Sequence, residues 1–125
     1  MESPYKGKTG IRRLINAFGY SCAGLKTAYK NEDAFRQEVI LAAVLIPLAI
    51  YLDVGTIERI LMIGSVLLLI IVELLNSAVE ATVDRISLDH HKLAARAKDI
   101  GSAAVLMSLV NLLVVWGLII LHKFM

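Results

Sequence analysis

An uninterrupted apolar run near the C-terminal end limits the folds open to this chain more than any other feature. No charged residue occurs in the roughly 22 residues from Ile100 to Leu121, and a helix of that length crosses the hydrocarbon core of a bilayer, about 30 Å thick. Hydrophobic residues make up 58% of the sequence, more than in an ordinary soluble domain. The formal net charge of +2 is too small to indicate a nucleic-acid partner. We therefore predict an all-α membrane protein.

Two shorter apolar runs become membrane spans only if each helix continues into its charged flank. Val39–Leu52 holds 14 residues and Ile60–Val72 holds 13, and runs this short can also be buried helices of a soluble protein. We predict that both helices continue, which places their flanking carboxylates near one membrane surface. The chain is then a single domain over residues 1–125 with transmembrane helices at 32–52, 57–84 and 90–122.

Residues 10–29 have the pattern of an amphipathic helix that lies on the membrane surface. Apolar residues recur at helical spacing and basic residues occupy the other faces. A soluble helix packed on a partner is the alternative interpretation. The apolar positions are Ile11, Leu14, Ile15, Phe18, Cys22, Leu25 and Tyr29.

The distribution of basic residues predicts the orientation of the spans. Eleven of the 13 Lys and Arg residues either precede the first apolar run or lie between the second and the third. Positively charged segments stay on the cytoplasmic side. We therefore expect the N-terminus and the loop around residues 87–92 in the cytoplasm, and the C-terminus on the opposite side.

One face of the second predicted span carries a row of polar side chains. At about 100° per residue, Glu73, Asn76, Glu80 and Asp84 fall within an arc of roughly 100°, while Leu, Ala and Val occupy the other faces. Carboxylates at membrane depth are costly and mark functional sites. The pattern leaves three interpretations open: a structural network between helices, a proton or ion pathway, and a catalytic or metal site.

Carboxylates on the other two spans are predicted at the same membrane level. Glu32 and Glu38 flank the first span, and Lys98-Asp99 begins the third. Mg²⁺ takes carboxylate and phosphate oxygens, lysine suits phosphate, and a carboxylate free of metal can act as a general base. These are the parts that phosphoryl transfer needs. No standard phosphate-binding glycine loop is present.

Two adjacent histidines precede the third span. His90 and His91 are neighbours in sequence, so they are poorly placed to share a metal ion from one helix face. Asp89 is the predicted N-cap of the third helix, because a side-chain oxygen there can accept from the first free backbone N–H groups.

Three motifs in this order resemble one family, the small bacterial integral-membrane diacylglycerol kinases. Residues 73–85 read ELLNSAVEATVDR, which resembles the family signature E-x-x-N-[ST]-A-x-E-x-x-x-D. Residues 31–38 read NEDAFRQE and residues 97–105 read AKDIGSAAV, and both are similar to family motifs. The resemblance extends from Gly10 to about Leu121.

The resemblance implies an activity and an assembly. Members of the family phosphorylate the free hydroxyl of diacylglycerol with MgATP to give phosphatidate, in the bacterial inner membrane. They are homotrimers of three-span subunits with an N-terminal surface helix. Their active sites are composite, built between neighbouring subunits near the cytoplasmic surface.

The resemblance also assigns roles to residues. Glu73 would be the general base, Glu32 and Glu80 would hold Mg²⁺, and Asn76 would orient Glu73 or the γ-phosphate. Helix geometry independently supports only Glu73, Asn76 and Glu80. The other nucleotide contacts would be Arg13, Tyr20, Asp89, His90, His91, Lys98 and Asp99. The lipid side would include Arg13, Ala34, Phe35, Glu38, Arg59, Glu73, Ser102 and Trp116.

The alternative functions differ either in the lipid substrate or in the class of protein. One branch of the family phosphorylates undecaprenol, whereas the run Phe35-Arg36-Gln37-Glu38 resembles the diacylglycerol branch. A proton-coupled transporter would use the same intramembrane carboxylates without ATP. A structural subunit would use them only to hold helices together.

Overall fold

The computed structural model describes residues 9–86 and 91–125 and places four helices in them. They are α1 (Gly10–Asn31), α2 (Asp33–Tyr51), α3 (Thr56–Ile86) and α4 (Lys92–Phe124). The last three are long and apolar enough to cross a membrane. This confirms the all-α fold with three membrane-spanning helices, and each span lies within two residues of the predicted bounds.

The first two helices join at a single extended residue. Glu32 separates them, with φ −117° and ψ 112°, and the Arg36 side chain reaches back over the joint. Its guanidinium donates to the carbonyls of Tyr29 and Lys30, at 2.8 and 2.9 Å, and pairs with Asp33. The terminal carbonyls of a helix lack intrahelical partners, so Arg36 stabilises the end of α1.

Helix α1 has the predicted stripe of apolar side chains. In α1, the side chains of Ile11, Leu14, Ile15 and Phe18 are all more than 60% exposed. A soluble protein rarely leaves so many large apolar side chains together in water. The helix itself is confirmed, and its position in the membrane interface stays a prediction.

A second arginine holds the joint between α2 and α3. The guanidinium of Arg59 donates to the carbonyls of Ala49, Leu52 and Val54, at 3.0, 2.9 and 3.3 Å. One side chain from the first turn of α3 therefore satisfies carbonyls at and just beyond the C-terminus of α2.

Helix α3 is central and packs against both α2 and α4. Met62, Val66 and Leu69 on α3 are fully buried. Across from them, the Trp116 indole of α4 donates to the Met62 carbonyl at 3.1 Å and lies 3.2 Å from Ser65 Oγ. A buried indole N–H needs a partner, so these contacts set the register of α4 on α3.

Ion pairs mark the two ends of the bundle. At one end, Lys123 of α4 lies 3.8 Å from Asp53, which follows α2. At the other end, Lys98 Nζ lies 2.6 Å from Asp84 Oδ1. The C-terminus of α4 and the α2–α3 joint therefore share one end of the bundle, as three crossing helices require.

The start of α4 corrects one expectation. Its N-cap is His91, whose Nδ1 accepts from the Leu93 N–H at 3.0 Å, so the cap is not Asp89 as predicted. Asp89 and His90, both expected near the nucleotide, lie outside the described residues.

Candidate active site

Glu73 is the centre of the candidate site. Its side chain is 4% exposed, and it is the only charged residue that is buried among those the structure describes. It lies midway along α3, where the helix packs against its neighbours on both sides. Burial of a carboxylate costs free energy unless a proton, cation or hydrogen-bond donor compensates it. Such a position in a spanning helix is typical of a functional group.

Three further carboxylates lie within electrostatic range of Glu73. The carboxylates of Glu80 and Glu32 lie close enough to act electrostatically on Glu73, and Glu73 acts in the same way on Glu38. The fold thus places carboxylates of α2, α3 and the α1–α2 joint in one region of the bundle. Like charges repel strongly where water is scarce, so a bound cation would stabilise the group.

The carboxylates do not form a closed metal cage by themselves. Within residues 9–86 and 91–125, no group of three or more His, Cys, Asp or Glu side chains converges closely enough to hold a metal ion. Mg²⁺ commonly uses one or two carboxylates and completes its shell with water and phosphate oxygens. The arrangement therefore fits a metal that arrives with a phosphate ligand better than a resident ion.

Asn76 lies on the same face of α3 as Glu73 and contacts Glu80. Its Nδ2 donates to Glu80 Oε1 at 3.4 Å, one turn further along α3. Its Oδ1 is buried without a hydrogen-bond partner, as are Ser77 Oγ and Glu38 Oε2. Buried polar atoms without partners are uncommon in folded proteins. Three of them beside one buried carboxylate indicate a surface that a ligand or a neighbouring subunit completes.

Lys98 lies at the same end of the bundle. It pairs with Asp84 between α4 and α3, and the charge of Glu80 also acts on it. Both members of the pair are about half exposed, so the ammonium group can exchange Asp84 for an anionic ligand at little cost.

An open groove runs between α1 and α3 beside these residues. Its volume is about 750 Å³, large enough for a drug-sized molecule or a lipid head group. Its polar lining comes from Ser21, Thr27, Asn31, Glu32 and Ser77. The remaining lining residues are Gly24, Leu25, Ala28, Leu74, Ala78 and Ala81.

Several predicted contacts lie on open surfaces. Arg13 and Tyr20 are exposed on α1, and Asp99 and Ser102 are exposed on α4. Ala34 is also exposed, near the start of α2. The structure leaves these side chains accessible, and their binding roles stay predictions.

Three predicted lipid contacts have structural roles in the fold. Arg59 holds the α2–α3 joint, Trp116 lies in the core, and Phe35 is 2% exposed. At 1.5 Å per residue, Arg59 lies roughly 20 Å along α3 from Glu73. A lipid whose hydroxyl is at Glu73 could meet Arg59 or Trp116 only through its acyl chains.

The sequence predicts no partner for two residues that the fold brings to the site. Asp84 lies on the predicted polar face of α3, but its pairing with Lys98 depends on how α4 lies against α3. Ser77 belongs to the motif of residues 73–85 and has no predicted role. The sequence signal for Asp84 is its place on the polar face, and that for Ser77 is its place in the motif.

The fold and the site together define a class: a multi-pass helical membrane protein with a buried carboxylate cluster near one end. A family model described as prokaryotic diacylglycerol kinase matches residues 19–120. The chain belongs to the prokaryotic diacylglycerol kinase family, a family of membrane phosphotransferases.

Similar proteins from three bacteria cover nearly the whole chain, and each is named diacylglycerol kinase. The Pseudomonas aeruginosa protein is 56% identical over 119 residues, which is 95% of this chain and 97% of that protein. The Haemophilus influenzae protein is 56% identical over 109 residues, 87% and 92% of the two chains. The Escherichia coli K12 protein is 48% identical over 116 residues, 93% and 95% of the two chains.

Proposed function

We propose that this protein is a lipid kinase that transfers the γ-phosphate of MgATP to the hydroxyl of 1,2-diacylglycerol, giving phosphatidate. The observation that carries the proposal is the buried Glu73, surrounded by further carboxylates in a chain of this family. The alternative lipid substrate is another membrane alcohol, undecaprenol, and the phosphate-transfer test described below distinguishes the two substrates.

In this proposal Glu73 is the general base. Its carboxylate accepts the proton of the lipid hydroxyl as the oxygen forms a bond to the γ-phosphorus and the bond to ADP breaks. A base held near the hydroxyl typically contributes about 10²- to 10⁴-fold in rate. The buried position of Glu73 keeps water, a competing acceptor, away from the transferred group.

Glu32 and Glu80 would hold the Mg²⁺ that accompanies ATP. Two carboxylates, with the rest of the shell from phosphate and water, fit the ligand preference of this ion. Held by these two carboxylates, the ion would supply positive charge to neutralise the transferred phosphoryl group. Asn76 keeps Glu80 in place through its carboxamide.

The cationic and polar side chains at this end of the bundle would bind the nucleotide. Lys98 would leave Asp84 and pair with a phosphate, while Asp99 and His91 lie on the first turns of α4 or next to them. Arg13 and Tyr20 would approach from the exposed face of α1. The Lys and Arg distribution supports a cytoplasmic N-terminus and a periplasmic C-terminus, and the family resemblance supports a location in the bacterial inner membrane.

The active protein would be a homo-oligomer, with three subunits by family resemblance. Oxygen atoms of Glu38, Asn76 and Ser77 are buried in the single chain without partners. Large apolar side chains are exposed along the three spans. A neighbouring copy could cover the apolar side chains and complete the polar site. Each subunit would be a single domain, and each active site would contain residues of two subunits.

The test is transfer of labelled γ-phosphate in detergent micelles, with diacylglycerol and undecaprenol supplied separately. We expect labelled phosphatidate from the wild type, and a turnover lower by roughly 10²- to 10⁴-fold in Glu73→Gln. Glu58→Gln is the matched control, because it makes the same change in the first turn of α3, about four turns before Glu73.

Each outcome has a distinct meaning. Label only in the undecaprenol product would overturn the substrate but keep the reaction. Near-normal turnover in Glu73→Gln would show that Glu73 is not the base. No label in either product would refute a lipid kinase and favour an ion-coupled transporter.

A further inference from the structure

Helix α4 approaches Asn76 of the candidate active site at Gly101, a residue that has no side chain. A Cβ atom built at Gly101 would overlap Asn76 Oδ1 and would lie 3.4 Å from Asn76 Cγ. No other described glycine has a side-chain oxygen so near. The carboxamide of Asn76 therefore occupies the space that any other residue at position 101 would fill.

The same carboxamide makes the hydrogen bond that holds Glu80. Its Nδ2 points along α3 to Glu80 Oε1, at 3.4 Å, while its Oδ1 is buried on the α4 side without a partner. Oδ1 and Nδ2 belong to one planar carboxamide, which turns as a unit about its terminal torsion. Displacing Oδ1 therefore rotates the whole carboxamide and also moves Nδ2 away from Glu80.

We propose that Gly101 is a positioning residue for the candidate active site. The absence of a side chain at this position lets Asn76 lie against α4 in the one orientation that aims Nδ2 at Glu80. The consequence for catalysis rests on the function proposed above, in which Glu80 binds the metal that accompanies ATP. Small misplacements of such groups cost up to about 100-fold in rate.

Gly101→Ala is the direct test, because one methyl group is enough to cause the overlap. Asn76 can swing aside at its flexible end, so we expect the helices to stay packed and the Tm to change little. The turnover should fall roughly 10- to 100-fold, with the KM for diacylglycerol nearly unchanged. Gly117→Ala is the matched control on the same helix, because a Cβ there meets no atom within 4 Å, and it should keep wild-type turnover.

A double-mutant cycle separates positioning from packing. If Gly101 acts through Asn76, then Gly101→Ala should cost no further activity in an Asn76→Ala background, where the carboxamide is gone. An equal further loss in that background would overturn the proposal. So would full activity in Gly101→Ala, or a loss that only parallels a fall in Tm.

A spectroscopic measurement tests the contact without relying on activity. The chain has four asparagines, so in ¹⁵N-asparagine-labelled protein the Asn76 side-chain signal is the one that disappears in Asn76→Ala. It should shift in Gly101→Ala and stay in place in Gly117→Ala. An unshifted signal would refute the positioning role, whereas a wild type without kinase activity would refute only the proposed function.

Discussion

Substitution of Arg59 distinguishes a structural role of its guanidinium from a role in binding the lipid substrate. Its guanidinium makes three hydrogen bonds to carbonyls at the α2–α3 joint. A hydrogen bond to a charged group contributes about 1.5–3 kcal/mol when buried. Because Arg59 is only half-buried, we take about 1 kcal/mol for each. Lysine presents one nitrogen in place of the planar fork, so Arg59→Lys should lose two bonds and about 2 kcal/mol.

The assay is reversible unfolding by a denaturing detergent, followed through the fluorescence of the single tryptophan. Trp116 is buried against Met62, so its emission reports the same packing that Arg59 supports. Arg12→Lys, at an exposed position of α1, is the matched control and should leave the free energy of unfolding unchanged. Arg59→Ala should destabilise by about 3 kcal/mol on the same reasoning.

One result would refute this account. If Arg59→Lys keeps wild-type stability but raises the KM for the lipid, then the guanidinium serves the substrate and not the joint. Loss of stability with an unchanged KM would establish the structural role and remove Arg59 from the predicted lipid contacts.

Two further changes test neighbouring contacts. Trp116→Phe removes the indole donor to Met62 and Ser65 and should lower the free energy of unfolding by about 1–2 kcal/mol. Circular dichroism would measure it, and an unchanged value would contradict the core role. Asp84→Asn should change stability by less than about 1 kcal/mol, since both partners in the pair are about half exposed. It should lower the KM for MgATP by about 2- to 5-fold by freeing Lys98, whereas a higher KM would mean that Asp84 positions Lys98 for the nucleotide.

Much of the candidate site could be predicted because it lies on one helix. Glu73, Asn76 and Glu80 share a face of α3 whatever the rest of the chain does, since the helical repeat alone determines it. The motif resemblance then indicated a function for that face. Glu32 was expected at the same end of the bundle because it lies on the charged flank of α2, and its role as a metal ligand stays a prediction.

Contacts between helices could not be predicted from the helical repeat or from the motifs. The overlap of Gly101 with Asn76, the Lys98–Asp84 pair and the Trp116 hydrogen bonds all join α4 to α3. Each depends on the rotation and the axial offset of one helix against the other. Periodicity along a single helix carries no information about either quantity.

The sequence by itself determined the three spans, the apolar stripe of α1 and the polar face of α3. These follow from hydropathy and from the 3.6-residue repeat, which are local properties of the chain. Only the tertiary structure decided which polar groups meet and which arginines hold the joints. It also decided that His91 and not Asp89 caps α4. Those outcomes depend on side-chain packing between segments far apart in sequence, where close fit selects one arrangement from many.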